Sequence, residues 1–352
     1  MTQSMVLAAP HAHDDSSIRG IMLTVCVSLV PCTALGLWCY GWPALNLLVV
    51  TVGSTMAFEA LALRMRGQKV GHRLADGSAV VAGWLLALTL PPWAPWWLAV
   101  LGAGVAMLLA KHPIGGIGQN VFNPAIVARV VLLLAFPLEM TTWAQPLTMT
   151  GPRLNAAQAL SVSAGHIPDA FTGATLLGTF HSAGAAVSAS NYDLFMGYRS
   201  GSFGEASVAL IFLGALWLVW RRVISWHVPV FVLLGLALPA AAVAALEPGS
   251  HLTAWQHATS GGALFAAVFI ATDPTTSPNG AIAKAVYGAG IGCVTYVIRE
   301  FCSLPEGIGF AVLLMNALVP TLDRRLKPRV YGRTRSGMPL KPPRIRVERS
   351  EA

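Results

Sequence analysis

A hydroxyl flanked by small residues can carry a covalent group, and Thr175 is the best placed in this chain. It closes the stretch Asp169-Ala-Phe-Thr-Gly-Ala-Thr175, in which only Phe171 is bulky. Gly173 admits backbone conformations closed to other residues, so the hydroxyl sits on a flexible, sterically open backbone. Asp, Thr and Gly are also what an ordinary polar loop uses to turn. Taken alone the stretch fits both readings, since background composition yields such a pattern in roughly one chain in a few hundred.

Three charged residues stand within or at the edge of apolar runs: Glu59, Arg129 and Glu205. A charge at membrane depth is costly and defaults to a functional role with a partner. Arg129 is the deepest, and a neutralising partner or an anionic ligand is expected for it. Glu59 lies near a helix end, where its head can snorkel to the interface. Glu59 and Arg129 are the candidates for coupling to ion movement. His166, His181, His251 and His257 lack metal-ligand spacing and read as surface residues. The five cysteines, at 26, 32, 39, 293 and 302, form no Cys-x-x-Cys pair. An iron–sulfur site needs grouped thiolates, so buried, unreactive thiols are expected instead. No P-loop, Gly-x-Gly-x-x-Gly, Gly-x-Ser-x-Gly or His-Glu-x-x-His occurs, and no catalytic or metal-binding residue is assigned.

These side chains need elements to hold them. Of 352 residues, 55% are hydrophobic and only 11% charged, against about 25% charged in a soluble domain. The chain is therefore an all-α polytopic membrane protein. Ten apolar segments fall at 21–40, 43–63, 76–92, 94–110, 121–138, 204–220, 227–246, 257–273, 280–299 and 305–322. Pro91-Pro92 and Pro274 cut the third and eighth short of the usual spanning length. The net charge of +8 does not point to nucleic acid, because ten of the 23 Lys and Arg lie in a tail between Arg324 and Arg349. With Arg19, Arg64, Arg66, Lys69, Arg73, Lys111, Arg221, Arg222 and Lys284, nineteen fall on one side of the alternating segments. The positive-inside rule makes that side, and both termini, cytoplasmic. Residues 1–19 read as no cleaved signal peptide.

Two short matches recur in order. Gly77-Ser-Ala-Val-Val-Ala82 resembles Gly261-Gly-Ala-Leu-Phe-Ala266, and Gly116-Ile-Gly118 recurs as Gly307-Ile-Gly309. They pair the third segment with the eighth and the fifth with the tenth. An offset of five crossings reverses direction, so the halves form two inverted five-helix repeats, a plan that places binding sites where broken helices meet. The organisation is a cytoplasmic start (1–20), a first membrane repeat (21–138), an extracytoplasmic segment bearing Thr175 (139–203), a second repeat (204–322) and a basic tail (323–352). On the cytoplasmic side three polar stretches converge: Asp76-Gly-Ser78, Gly115 to Pro124, and Asp273 to Pro278. Irregular backbone at this depth must be satisfied by protein or a lined cavity. A cofactor, ion or quinone pocket fits; so does helix capping by Asp76 and by Asn123 before Pro124.

Over nearly its whole length the chain also resembles a known family. The motifs are Ala9-Pro-His11, Phe58-Glu59, Asp76-Gly-Ser with Leu90-Pro-Pro92, Gly115-Gly-Ile-Gly-Gln-Asn-Val-Phe-Asn-Pro124, Asp169-x-x-Thr-Gly-Ala-Thr175 and Ala271-Thr-Asp-Pro-Thr-Thr-Ser-Pro278. The family contains the D subunit of Rnf ion-translocating electron-transport complexes and the B subunit of sodium-translocating NADH:quinone oxidoreductases. The short start resembles the former. The resemblance implies FMN joined to Thr175 by a phosphoester, with Asp169, Thr172, Gly173 and Ala174 read by a flavin transferase outside the cytoplasm. Thr172 stands where Ser is usual and keeps the hydroxyl. A second, non-covalent flavin, riboflavin, is implied among the helices, with Asn120, Asn123, Asp273, Thr275 and Thr276 as candidates. The implied setting is a bacterial inner-membrane redox subunit, active within a complex that links ferredoxin and NAD to Na⁺ or H⁺ movement. Its implied partners are another FMN-bearing subunit and iron–sulfur subunits. The competing readings are a secondary transporter or channel without redox chemistry, the quinone-reductase B subunit, and a structural scaffold for other redox subunits.

Overall fold

Backbone polar groups in lipid have no water to bond, so an apolar run must satisfy them within itself as a helix. The computed structural model describes residues 17–113, 115–146, 156–165, 172–183, 191–197, 200–205, 207–247, 251–302, 304, 306–327 and 338. Among them all ten apolar segments are helical, and pairing outside helices is limited to an isolated bridge between Ala144 and Thr172. The apolar helices are α1 (Ile18–Tyr40), α2 (Trp42–Met65), α3 (Ser78–Thr89), α4 (Trp96–Gly104), α5 (Pro124–Ala135), α6 (Val208–Trp220), α7 (His227–Leu246), α8 (Ala263–Phe265), α9 (Ala281–Phe301) and α10 (Ile308–Arg325). A π-helical turn extends α4 through Val105–Lys111, and another extends α8 through Ala266–Ile270. α1, α2, α7 and α9 are long and apolar enough to cross a membrane.

Local chemistry sets the boundaries. Ser17 caps α1 by accepting the Gly20 N–H at 3.1 Å. Gly41 turns the chain at φ 69°, and Pro43 starts α2. The fifth segment opens at Pro124 and stops at Phe136, ahead of Pro137. The eighth, read as one run from 257, is broken. A short helix Ala254–Thr259 ends at Ser260, and Gly261 takes φ 62° before α8 begins.

α3 and α8 are among the short elements, and α5 also has only twelve residues. Twelve residues of α3 rise about 18 Å, short of the roughly 30 Å hydrocarbon core. Two contacts fix their relative direction. Ser78 at the start of α3 and Thr272 and Asp273 past the end of α8 line one cleft. At the other end, Arg129 reaches both the Thr89 carbonyl, at the end of α3, and Glu306, which takes the Gly262 N–H at the start of α8. Start meets end twice, so the two short helices are antiparallel. The halves share further detail. Gly77 and Gly261 precede the short helices with φ 80° and 62°. Lys111, at the end of the fourth helix, and Arg299, at the end of the ninth, each donate to the segment that opens α3 or α8. Small residues let the bundle close. A Cβ on Gly288 of α9 would fall 2.8 Å from the Val228 carbonyl of α7, the packing expected between membrane helices.

Candidate functional site

The polar groups gather in three places. The first is the cleft shared by the two halves, about 740 Å³ of empty space open to the surface. Ser78, Lys111, Asn120, Asn123, Asp273 and Thr275 line its polar part. Asn123 caps α5, its Oδ1 taking the Ala125 N–H at 3.0 Å, while its Nδ2 donates to Asp273 Oδ2 at 3.3 Å. Cap and cleft wall are one residue. Asn120 donates to Thr275 Oγ1 at 3.3 Å, and the Thr275 and Thr276 hydroxyls donate to Asp273 at 3.0 and 3.5 Å. The five residues singled out in sequence therefore form one hydrogen-bonded set across a separation of about 150 positions.

Behind this cleft sits a buried charge network. Lys111 Nζ donates to Glu59 at 2.9 Å and to Ser78 Oγ at 2.8 Å, and the Ser78 hydroxyl donates to Asp76 at 2.6 Å. His112 Nε2 lies 2.8 Å from the second Glu59 oxygen. Glu59 is 3% exposed and does not snorkel, because Lys111 and His112 meet it inside the bundle. Lys111, counted in sequence as a loop cation, is buried as well. Asp76 acts through its carboxylate, which takes the Ser78 N–H at 2.8 Å, while Gly77 holds the cap position itself.

The second place is the opposite end of the short helices. Arg129 has the neutralising partner expected of it: Glu306. Glu205 is buried there too and accepts the Ser202 N–H, and the position of a Cβ on Gly262 would lie close to both Glu306 and Glu205. Arg299 is 1% exposed and donates to the carbonyls of His257 at 2.6 Å and Ser260 at 2.9 Å. His257 is buried at the edge of Tyr296, not on the surface. His251 lies between Glu247 and Glu300. His166 and the side chain of His181 lie outside what the structure describes. Cys32 and Cys39 are buried, whereas Cys293 and Cys302 are exposed because they face away from the core of the bundle. Among the described residues no His, Cys, Asp or Glu cluster suits a metal ion. Sequence reasoning missed Glu306, His112 and Arg299. Only the unpaired charges of Arg129 and Glu59 signalled that partners existed.

Thr175 is the third. Its Oγ1 accepts the Gly178 N–H at 3.1 Å and so caps the helix Leu176–Ala183. The preceding segment is pinned to the chain after α5. Gly173 N–H donates to the Trp143 carbonyl at 2.9 Å, and Gln145 Nε2 to the Thr172 carbonyl at 3.1 Å. A Cβ on Gly173 would lie 2.5 Å from Ser200 Oγ and 2.7 Å from Gln145 Cγ. Glycine is needed there for space; its φ is not in the left-handed region, so unusual backbone freedom is not what the position uses. Ala174 is exposed and Thr175 half-buried. Asp169 lies outside the described residues. Leu177, two residues on, packs with Phe180 and Leu252 and reaches Gly261 at the start of α8.

Comparison with known proteins bears on these sites. Residues 5–332 match the family described as NQR2, RnfD, RnfE. The chain is 47% identical over 337 residues to the D subunit of an ion-translocating oxidoreductase complex from Stutzerimonas stutzeri, covering 92% of this chain and 95% of the relative. The protein of the same name from Halorhodospira halophila is 43% identical over 349 residues, with 96% and 98% covered. That of Rhodobacter capsulatus is 39% identical over 340 residues, with 94% of each covered.

Proposed function

This chain belongs to the NQR2, RnfD, RnfE family, and from that premise we propose that it is a membrane redox subunit of an ion-translocating electron-transport complex, carrying FMN on Thr175. Its relatives bear the name of such a complex over nearly their full length, which supports a role beside other subunits. The observation that carries the flavin reading is the setting of Thr175: a hydroxyl at the N-terminus of a helix, on a stretch of backbone held flush against Trp143 and Gln145. A phosphoester oxygen at a helix N-terminus meets the positive end of the helix dipole and its free N–H groups. Leu176 and Leu177 would supply those groups, while the Gly178 N–H already holds Thr175 Oγ1. Exposed Ala174 leaves the hydroxyl approachable by a flavin transferase, which would read Asp169, Thr172 and Gly173 as well.

A flavin accepts one or two electrons and so joins one-electron to two-electron carriers, while the protein sets its position and electrostatics. A second, non-covalent flavin would sit in the cleft of Asn120, Asn123 and Asp273, where a few polar side chains stand among apolar ones as in small-molecule sites. Glu59 with Lys111, and Arg129 with Glu306, are the buried charges through which ion movement, of Na⁺ or H⁺, would be coupled. The charge distribution supports an inner-membrane orientation with both termini and the cleft cytoplasmic and Thr175 outside.

The test is a denaturing gel of the whole chain, made in a host that expresses a flavin transferase and viewed under ultraviolet light. A fluorescent band that vanishes in Thr175→Ala is expected, with Thr172→Ala keeping part of the signal. A dark wild-type band would sink the reading.

A further inference from the structure

Outside these sites, α1 and α6 leave a groove of about 770 Å³ between them. Val27, Pro31, Leu213, Leu216, Trp217 and Trp220 line it. Leu213, Leu216 and Trp220 are 57%, 70% and 70% exposed, so the trough faces the surroundings of the bundle. Its floor is closed by Gly214, where a Cβ would sit 2.9 Å from the Ser28 carbonyl. Such a trough suits an acyl chain or an apolar helix equally.

The charges at its end distinguish them. α6 finishes at Trp220, and the next two residues are Arg221 and Arg222, both exposed. The Arg221 guanidinium lies over the Trp217 ring, 5.8 Å from its centroid, so one cation is fixed to the wall of the groove. Arg222 holds φ 56°, a conformation that suits Gly or Asn and is costly for a long side chain. The Trp217 indole N–H is buried with no acceptor among the described residues. The mouth therefore offers two cations, adjoining a trough that offers only apolar surface. Arg221 and Arg222 also lie at the end of the bundle that holds Lys111 and Lys284, since Val223 and Ile224 border both. Basic side chains at that surface attract anionic lipid, and tryptophan belongs at the interface.

We infer that this groove binds an anionic phospholipid, with an acyl chain along Leu213, Leu216 and Trp220 and the phosphate on Arg221 and Arg222. The site is independent of the flavin reading. A partner helix would fill the trough but leave the arginine pair without a counter-charge.

Native mass spectrometry of the full chain, released from detergent containing equimolar phosphatidylglycerol and phosphatidylcholine, tests this. Wild type should retain phosphatidylglycerol in preference. The double substitution Arg221→Gln/Arg222→Gln should weaken its binding by roughly thirtyfold, the weight of two surface cations at about 1 kcal/mol each. Leu216→Trp fills the trough at an exposed position and leaves both arginines, so it should lower occupancy too; it serves alone if the arginine variant fails to fold. Equal retention of the two lipids by wild type, undiminished phosphatidylglycerol in a folded double variant, or a photo-crosslink from position 216 to the helix of another protein in the intact complex would overturn the proposal.

Discussion

Thr175 caps a helix, and the proposed flavin attachment would be a second role that a substitution separates from the first. As a cap its hydroxyl is worth about 1 kcal/mol, so Thr175→Ala should barely move the unfolding temperature while abolishing covalent flavin. Gly173→Ala is the sharper probe. Its methyl would strike Ser200 and Gln145, displacing the segment that presents the hydroxyl. Flavin incorporation, read by in-gel fluorescence, should fall well below wild type although Thr175 is intact. Glu59 poses a different question. It is buried with Lys111 and His112, and removing one partner of a buried pair costs about 3–5 kcal/mol because the other charge is stranded. Lys111→Met should therefore destabilise strongly, and Glu59→Gln with Lys111→Met should cost less than the two single changes combined. Thermal unfolding in detergent across the cycle measures this. His251, in the turn after α7, is hydrogen-bonded to Glu247 and to Glu300, and both carboxylates raise its pKa. His257 stands on the far side of Glu300, 3.9 Å away. A raised pKa means the protonated form is favoured by folding. That contribution is complete below the ordinary value of about 6.5 and fades as pH climbs through the raised one. Stability should fall across that window above pH 6.5, and His251→Gln should flatten the slope.

At the scale of elements, α8 depends on how it is opened, and Gly67, after α2, provides the control. Gly67 and Gly261 have nearly the same φ, 65° and 62°. Around Gly67 nothing lies within 4 Å, whereas a Cβ on Gly261 would meet Arg299 at 2.6 Å and Glu306 at 3.0 Å. Gly67→Ala should thus cost only the left-handed penalty of about 1–2 kcal/mol. Gly261→Ala should cost clearly more, since it also pushes apart the charges that anchor α8. The difference in unfolding midpoint between the two variants is the measurement. Much of this level was readable in advance. Pro91-Pro92 and Pro274 announced short helices, and the Gly77 and Gly261 segments announced their equivalence. The break at Ser260–Gly262 carries a signal of its own, because Ser260-Gly261-Gly262 is a turn-forming run; the φ of Gly261 and the claims of Arg299 on nearby carbonyls end the first helix there.

For the molecule as a whole, the antiparallel short helices bring distant stretches together at both ends, and the charge distribution predicts which end faces the cytoplasm. Reporter fusions test that orientation: a fluorescent protein after residue 352 should be bright, and alkaline phosphatase fused within 184–190 should be active. The opposite pattern would place Thr175 in the cytoplasm and remove it from the reach of an external transferase. Composition, spacing and charge were enough by themselves to determine a helical membrane chain with matching short segments in its two halves and three polar stretches on one side, open to a pocket or to capping. Those properties follow from local patterns: apolar run length, proline and glycine placement, and the side on which cations fall. Only the tertiary structure decided who pairs with whom. Glu306 for Arg129, Lys111 and His112 for Glu59, and the steric reason for Gly173 arise from elements far apart in sequence. No local period encodes a contact that exists only once the helices have packed.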